Sequence, residues 1–110
     1  MRLAVWIVEL LNTTVRAELD SLPDDMLAHF RRIVDLIQKH GLQRVHGPYI
    51  KHLEGRLWEI RLKGRDGIAR AIYVTASGER VVVVRVFVKK TQRTPPREIR
   101  LALQRAREVT

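Results

Sequence analysis

Hydrophobic and polar positions follow three different periods along this chain, and each period predicts an element. Leu3 to Leu11 is nearly continuous in apolar and β-branched residues. Such a run predicts a first strand buried on both faces. Asn12-Thr13-Thr14 interrupts it, and either Asn12 or Thr13 can N-cap a short helix running to about Asp20. Ser21-Leu22-Pro23-Asp24-Asp25 predicts a second helix start. Ser21 can cap it, Pro23 fits the first turn, and the two aspartates complement the helix dipole. Leu27, Phe30, Ile33, Val34 and Ile37 then recur at helical spacing, and Gly41 supplies the stop. Leu42 to Gly55 contains Gly47-Pro48 and no sustained period, so it reads as a loop.

The period then changes to two. In Leu57–Lys63, Trp58, Ile60 and Leu62 point one way and Glu59, Arg61 and Lys63 the other. Gly64-Arg65-Asp66-Gly67 reads as a hairpin turn into a strand over Ile68–Thr75. A short turn at Ala76-Ser77-Gly78-Glu79 leads to Arg80–Val88. Strict alternation there puts Val82, Val84, Val86 and Val88 on one face and Val81, Val83, Arg85 and Phe87 on the other. After a polar link, Thr94-Pro95-Pro96 opens a last helix, with Thr94 as cap and Pro95 at its first position. Ile99, Ala102, Leu103 and Ala106 form its apolar stripe. The order is strand, two helices, three-strand meander, helix. It predicts an α+β fold in one domain, residues 1–110. A small, mostly antiparallel sheet is covered by two N-terminal helices and one C-terminal helix.

Composition narrows the chemistry. A chain of 110 residues holds one core. With no cysteine there is no disulfide, thiolate zinc site or Cys nucleophile. No apolar run reaches the roughly 18 residues of a membrane-spanning helix. The apolar start resembles a signal peptide, but Glu9 interrupts it and no cleavage site follows. A soluble cytoplasmic protein with no membrane partner is expected. The net charge of +9 lies wholly in residues 51–110, which carry fifteen basic and six acidic groups against six of each in residues 1–50. Such asymmetry favours a polyanionic partner, nucleic acid first and an acidic protein second.

Familiar catalytic patterns are missing. Ser21 and Ser77 sit at turns without a G-x-S-x-G setting, and the four histidines show no metal-ligand spacing. No phosphate-cradling glycine motif occurs, and no cofactor is expected. What remains is a set of cations on the predicted strands: Arg61, Lys63, Arg70, Arg85, Lys89 and Lys90. Arg70 and Arg85 each interrupt an apolar run, and two such arginines on neighbouring strands invite a shared anion. A salt bridge between Arg70 and Glu59 is the structural alternative. Arginine and lysine suffice for RNA cleavage through the 2′-hydroxyl. They stabilise the charged phosphorane, and a lysine among other cations can move a proton.

Three segments carry a resemblance: Pro48-Tyr49-Ile50-Lys51-His52-Leu53-Glu54-Gly55-Arg56-Leu57-Trp58-Glu59-Ile60-Arg61, Gly67-Ile68-Ala69-Arg70-Ala71-Ile72-Tyr73, and Val86-Phe87-Val88-Lys89-Lys90-Thr91-Gln92-Arg93-Thr94-Pro95. In combination they resemble the phage-derived, HigB-like branch of the RelE/ParE toxin superfamily, over nearly the whole chain. The resemblance implies the fold read above and the toxin of a type II toxin–antitoxin pair. It implies a metal-independent endoribonuclease acting on mRNA at the ribosome; ParE-like members instead inhibit DNA gyrase. A non-catalytic nucleic-acid-binding module is a third reading. Carried onto this chain, the resemblance implies Arg61 and Arg70 at the scissile phosphate and Lys89 or Lys90 in alignment or proton transfer. Lys63, Arg85 and Arg93 are the substrate-binding candidates, and Tyr73 is expected to pack rather than react. The implied partners are mRNA on the ribosome and an antitoxin with a helix-turn-helix, DNA-binding domain.

Overall fold

A computed structural model describes residues 5–45 and 47–110. The elements are β1 (Ile7–Leu10), α1 (Thr13–Asp20), α2 (Asp24–His40), β2 (Ile50–Glu54), β3 (Leu57–Gly64), β4 (Gly67–Ala76), β5 (Arg80–Lys89) and α3 (Pro96–Ala106). They build one five-stranded sheet in the order β1-β5-β4-β3-β2. β2 to β5 form an antiparallel meander, and β1 joins β5 in parallel. The α+β class and mostly antiparallel sheet hold. The meander has four strands rather than three, because Ile50–Glu54, read as loop, pairs with β3. Its five residues are half-exposed and too few to show a period.

Helices cover both faces of the sheet. Val15 and Leu19 of α1 and Met26, Phe30, Ile33 and Ile37 of α2 pack on one face, against Ile60, Leu62, Tyr73 and Val83. Ala102 and Ala106 of α3 pack on the other, against Leu57, Ile72, Val74 and Val84. β1 is not buried on both faces as its composition predicts. It is an edge strand with Ile7 exposed and the rest half-buried. Leu3 and Ala4 lie outside the described residues. Trp58, expected in the core beside Ile60 and Leu62, is 39% exposed. α2 stops at Gly41, and past its end the strand faces an open cavity of about 530 Å³ that Trp58 lines.

Local signals place the helix ends, with two substitutions of role. Asn12 caps α1, its side-chain oxygen accepting from the Val15 N–H at 3.0 Å. Ser21 does not cap α2. Its hydroxyl donates backwards to the Glu18 carbonyl at 2.8 Å, and Pro23 stands at the cap position without a side-chain bond. Thr94 does not cap α3 either. Pro95 occupies the cap position and Pro96 opens the helix. Gly41 ends α2 at φ +86°, where a side chain is disfavoured. Gly64 is required by contact: a Cβ there would lie 2.7 Å from Met26 Cγ, so the hairpin docks directly onto α2.

One irregularity in β5 matters most. The β4–β5 register shifts between Ile72, opposite Arg85, and Tyr73, opposite Val83. The extra residue is a β-bulge, which reverses the alternation beyond it. Val82 and Val84 therefore pack toward α3, whereas Val86 packs toward α1 and α2 with Val81 and Val83. The predicted common face for Val82, Val84, Val86 and Val88 is thus split, and Phe87 joins Val82 and Val84 on the α3 side.

Candidate nucleic-acid site

On the α3 side of the sheet, β3 and β4 bring charge instead of a core. Arg61 and Arg70 are direct cross-strand partners, Phe87 lies opposite Arg70, and Lys89 opposite Ile68. Two like charges placed opposite each other repel. Glu59 resolves this from beneath. Its carboxylate is fully buried, 0% exposed; Oε2 pairs with Arg70 Nη1 and lies 3.7 Å from Arg61 Nε. The Thr94 hydroxyl donates to Glu59 Oε1 at 2.8 Å, the task that replaces its expected capping role. Arg70 Nη2 donates to the Gln92 carbonyl at 3.3 Å, tying down the link after β5.

Above this floor opens a cleft of about 390 Å³, lined by Arg61, Arg70, Lys89, Lys90 and Gln92 among others. The structure brings together the four residues expected at the centre of the chemistry. Their settings differ. The Arg70 side chain is 3% exposed and committed to Glu59, while Arg61 is 35% exposed. Lys89 is half-buried at the rim and Lys90 exposed. The bulge is what turns Lys89 to this side, since Phe87, two residues earlier, packs toward α3. Burial and the charges of Arg70, Arg61 and Lys51 hold the Lys89 pKa below its usual 10.5. Each of those causes disfavours the ammonium form, so Lys89 is the amine here best suited to accept a proton.

Three other predicted residues stand elsewhere. Lys63 lines a separate cleft with His29 of α2. Arg93 is exposed in the link before α3. Arg85 does not share an anion with Arg70. Its guanidinium meets Glu98 Oε1 at 2.7 Å and Glu18 Oε2 at 2.8 Å, and Arg105 meets the same Glu18 oxygen at 2.9 Å. Glu18 also accepts from the Val86 N–H at 3.1 Å, so α1 reaches β5 beyond the end of β1. Burial alone would raise the Glu18 pKa, but hydrogen bonds from Arg105 and Val86 and the charges of Arg85 and Arg105 leave it lowered. Each interrupting arginine therefore has its own carboxylate, and the Arg70–Glu59 salt bridge is the arrangement present. Tyr73 packs in the core, where burial pushes its hydroxyl pKa up.

Sequence reasoning weighed Glu59 only as the salt-bridge alternative for Arg70 and gave Lys51 no part in the site. Alternation places Glu59 with the polar, outward set of β3, yet Arg70 and Thr94 of the link before α3 close over its carboxylate. Its signal is a lone acid two residues from one arginine and across the hairpin from another. Lys51, read in a loop, lies on β2 opposite Glu59 and adds to the field on Lys89.

Comparison with known proteins agrees with this geometry at the level of fold and family. Residues 17–107 match the family described as phage-derived protein Gp49-like. An archaeal RelE, solved in a RelE–RelB complex from Pyrococcus horikoshii OT3, superposes with a TM-score of 0.53 at 18% identity. The match covers 78% of this chain and 97% of that one, and shows a shared fold. No curated protein matches the chain.

Proposed function

We propose, for a chain that belongs to the phage-derived Gp49-like family and has the RelE fold, the role of toxin in a toxin–antitoxin pair. Its activity is metal-independent cleavage of mRNA on the ribosome. The observation that carries this reading is Lys89, kept below its usual pKa among Arg61, Arg70 and Lys51 at the rim of an open cationic cleft.

The chemistry follows from those residues. Lys89, as the neutral amine, takes the proton of the RNA 2′-hydroxyl. The 2′-oxygen forms a bond to the adjacent phosphorus, and the bond from phosphorus to the 5′-oxygen breaks. A proton reaches that leaving oxygen from Lys90 or water. The products are a 2′,3′-cyclic phosphate and a 5′-hydroxyl. Arg61, the more exposed arginine, faces the charge that builds on the phosphorane. Arg70 acts from the floor, adding field while anchored to Glu59. Lys90 lines the same cleft and holds the flanking backbone. Alignment of the 2′-oxygen is left to the ribosome, which supplies the positioning that so small a site lacks. The archaeal RelE structure contains RelB, which supports an antitoxin partner here, one with a helix-turn-helix domain that covers the cationic cleft.

The test is mRNA cleavage in a purified translation reaction, with ribosomes present or omitted, for the wild-type protein and Lys89→Ala. Site-specific cuts that need ribosomes, and that fall at least about 10²-fold with Lys89→Ala, are expected. Intact mRNA from folded wild-type protein would overturn the reading and direct attention to gyrase. Full cleavage by Lys89→Ala would overturn the assignment of the base.

A further inference from the structure

We propose that a second cleft, walled by His29, Arg32, Tyr49 and Lys63, is a phosphate-binding subsite that seats the RNA backbone next to the bond held over Lys89. The proposal rests on the RNA-cleaving reading above and extends it to a surface which that mechanism does not use.

The cleft measures about 330 Å³ and lies where the first turns of α2 meet the end of β3. Its histidine is set by backbone geometry. His29 Nδ1 accepts the Lys63 backbone N–H at 2.8 Å, so the ring proton resides on Nε2. Nε2 is then a donor whether the ring is neutral or charged. Tyr49 packs edge-on against this ring, centroids 5.1 Å apart at 83°, and holds it in place. Arg32 and Lys63 are exposed and, among the described residues, form no ion pair, whereas Arg16 and Lys39 on the helices pair with acids one turn away. The one carboxylate present, Asp25, is engaged by backbone. Oδ1 accepts from Met26 N–H at 2.8 Å and Oδ2 from Arg65 N–H at 2.5 Å. Two cations and a fixed N–H donor thus line one concave surface, a donor set that suits a phosphodiester.

Position ties this cleft to the first. Arg61 lines one and Lys63 the other, two residues apart on β3. At the rise of a strand that is about 6.5–7 Å along β3, and a polynucleotide that turns round the edge of β3 from the α3 side to the α2 side passes both clefts. The Arg61 N–H is bonded to the Tyr49 carbonyl at 2.7 Å, so the residue that walls the second cleft is fastened to the edge of the first.

The experiment uses oligonucleotides blocked by a 2′-deoxy sugar at the cleavable step and lengthened one nucleotide at a time. Their affinity is measured by fluorescence anisotropy across a salt series, for wild-type protein, Lys89→Ala and the double variant Arg32→Ala/Lys63→Ala. Each phosphate engaged adds about 0.7 to the slope of log affinity against log salt. One lengthening step is expected to add that increment in the wild type and not in the double variant, and to move the His29 ring signals in NMR spectra. If the increment persists in the double variant and the His29 signals stay fixed, the strand leaves by another route and the proposal is overturned, while loss of binding in Lys89→Ala would leave the cleavage reading standing. If no oligonucleotide binds the wild type, the proposal fails, while the cleavage reading, which leaves alignment to the ribosome, is decided by the translation reaction.

Discussion

Removing the Glu59 carboxylate tests how the candidate site is built. Glu59→Ala leaves Arg70, 3% exposed, charged and without its carboxylate. An arginine does not escape by losing its proton. Breaking a buried pair from one side costs about 3–5 kcal/mol. For 110 residues at about 2.1 cal/mol/K each, the unfolding entropy is about 0.23 kcal/mol/K, so Tm falls by roughly 13–22 °C. Arg70→Ala strands the fully buried Glu59 and should cost a similar amount. Removing both charges, as Glu59→Leu/Arg70→Met, strands neither. Arg61 can turn to water, and the Thr94 hydroxyl loses one acceptor worth about 1 kcal/mol. The double variant should therefore stay within about 2 kcal/mol of wild type, less destabilised than either single variant. Thermal and urea unfolding of the four proteins closes the cycle. Single variants that each lose less than about 3 °C, or a double variant that loses the sum of the two, would refute the account of Glu59 as the anchor of Arg70. Cleavage by the folded double variant then reports on the charge of Arg70 free of its effect on stability.

Two further predictions concern protons. The lowered Glu18 pKa means that the folded chain binds its proton less readily than the unfolded chain does. The stability it contributes is therefore complete above about pH 4.5 and is lost as pH falls through the lowered native value. Glu18→Gln should flatten that acid limb in a plot of Tm against pH; an identical limb would show that the bridge between α1, β5 and α3 does not hold it. His29 is kept below its usual 6.5 by burial first, then by Arg32 and Lys63. Lys63→Ala removes one of those charges but keeps the backbone N–H on Nδ1, so an NMR titration of the ring should move upward toward 6.5. No movement would place the Lys63 ammonium too far away to share an anion with the ring.

The periods of the chain alone determined the helices, four of the strands and the turns of the meander, because each depends on neighbours within a few residues. Asn12 as cap, Gly41 as stop and the Arg65-Asp66 hairpin are local in the same sense. The family resemblance, rather than the periods, grouped Arg61, Arg70, Lys89 and Lys90 as one set. Tertiary structure decided what each cation meets. Arg85 interrupts a valine run just as Arg70 interrupts its own, and the linear pattern treats them alike. Glu18 and Glu98 come to Arg85 from distant helices, and Glu59 reaches Arg70 across the hairpin and beneath Thr94. Strict alternation also assigns Lys89 to the wrong face, because period two continues only until a bulge intervenes, and nothing in a row of valines marks where it falls. Edge or interior position was likewise undetermined: β1 is apolar enough for the centre of a sheet, yet it stands at the rim with one neighbour. Hydrophobic pattern records which residues avoid water within a segment. The partners of a buried charge and the place of a strand in its sheet depend on contacts between segments far apart in the chain.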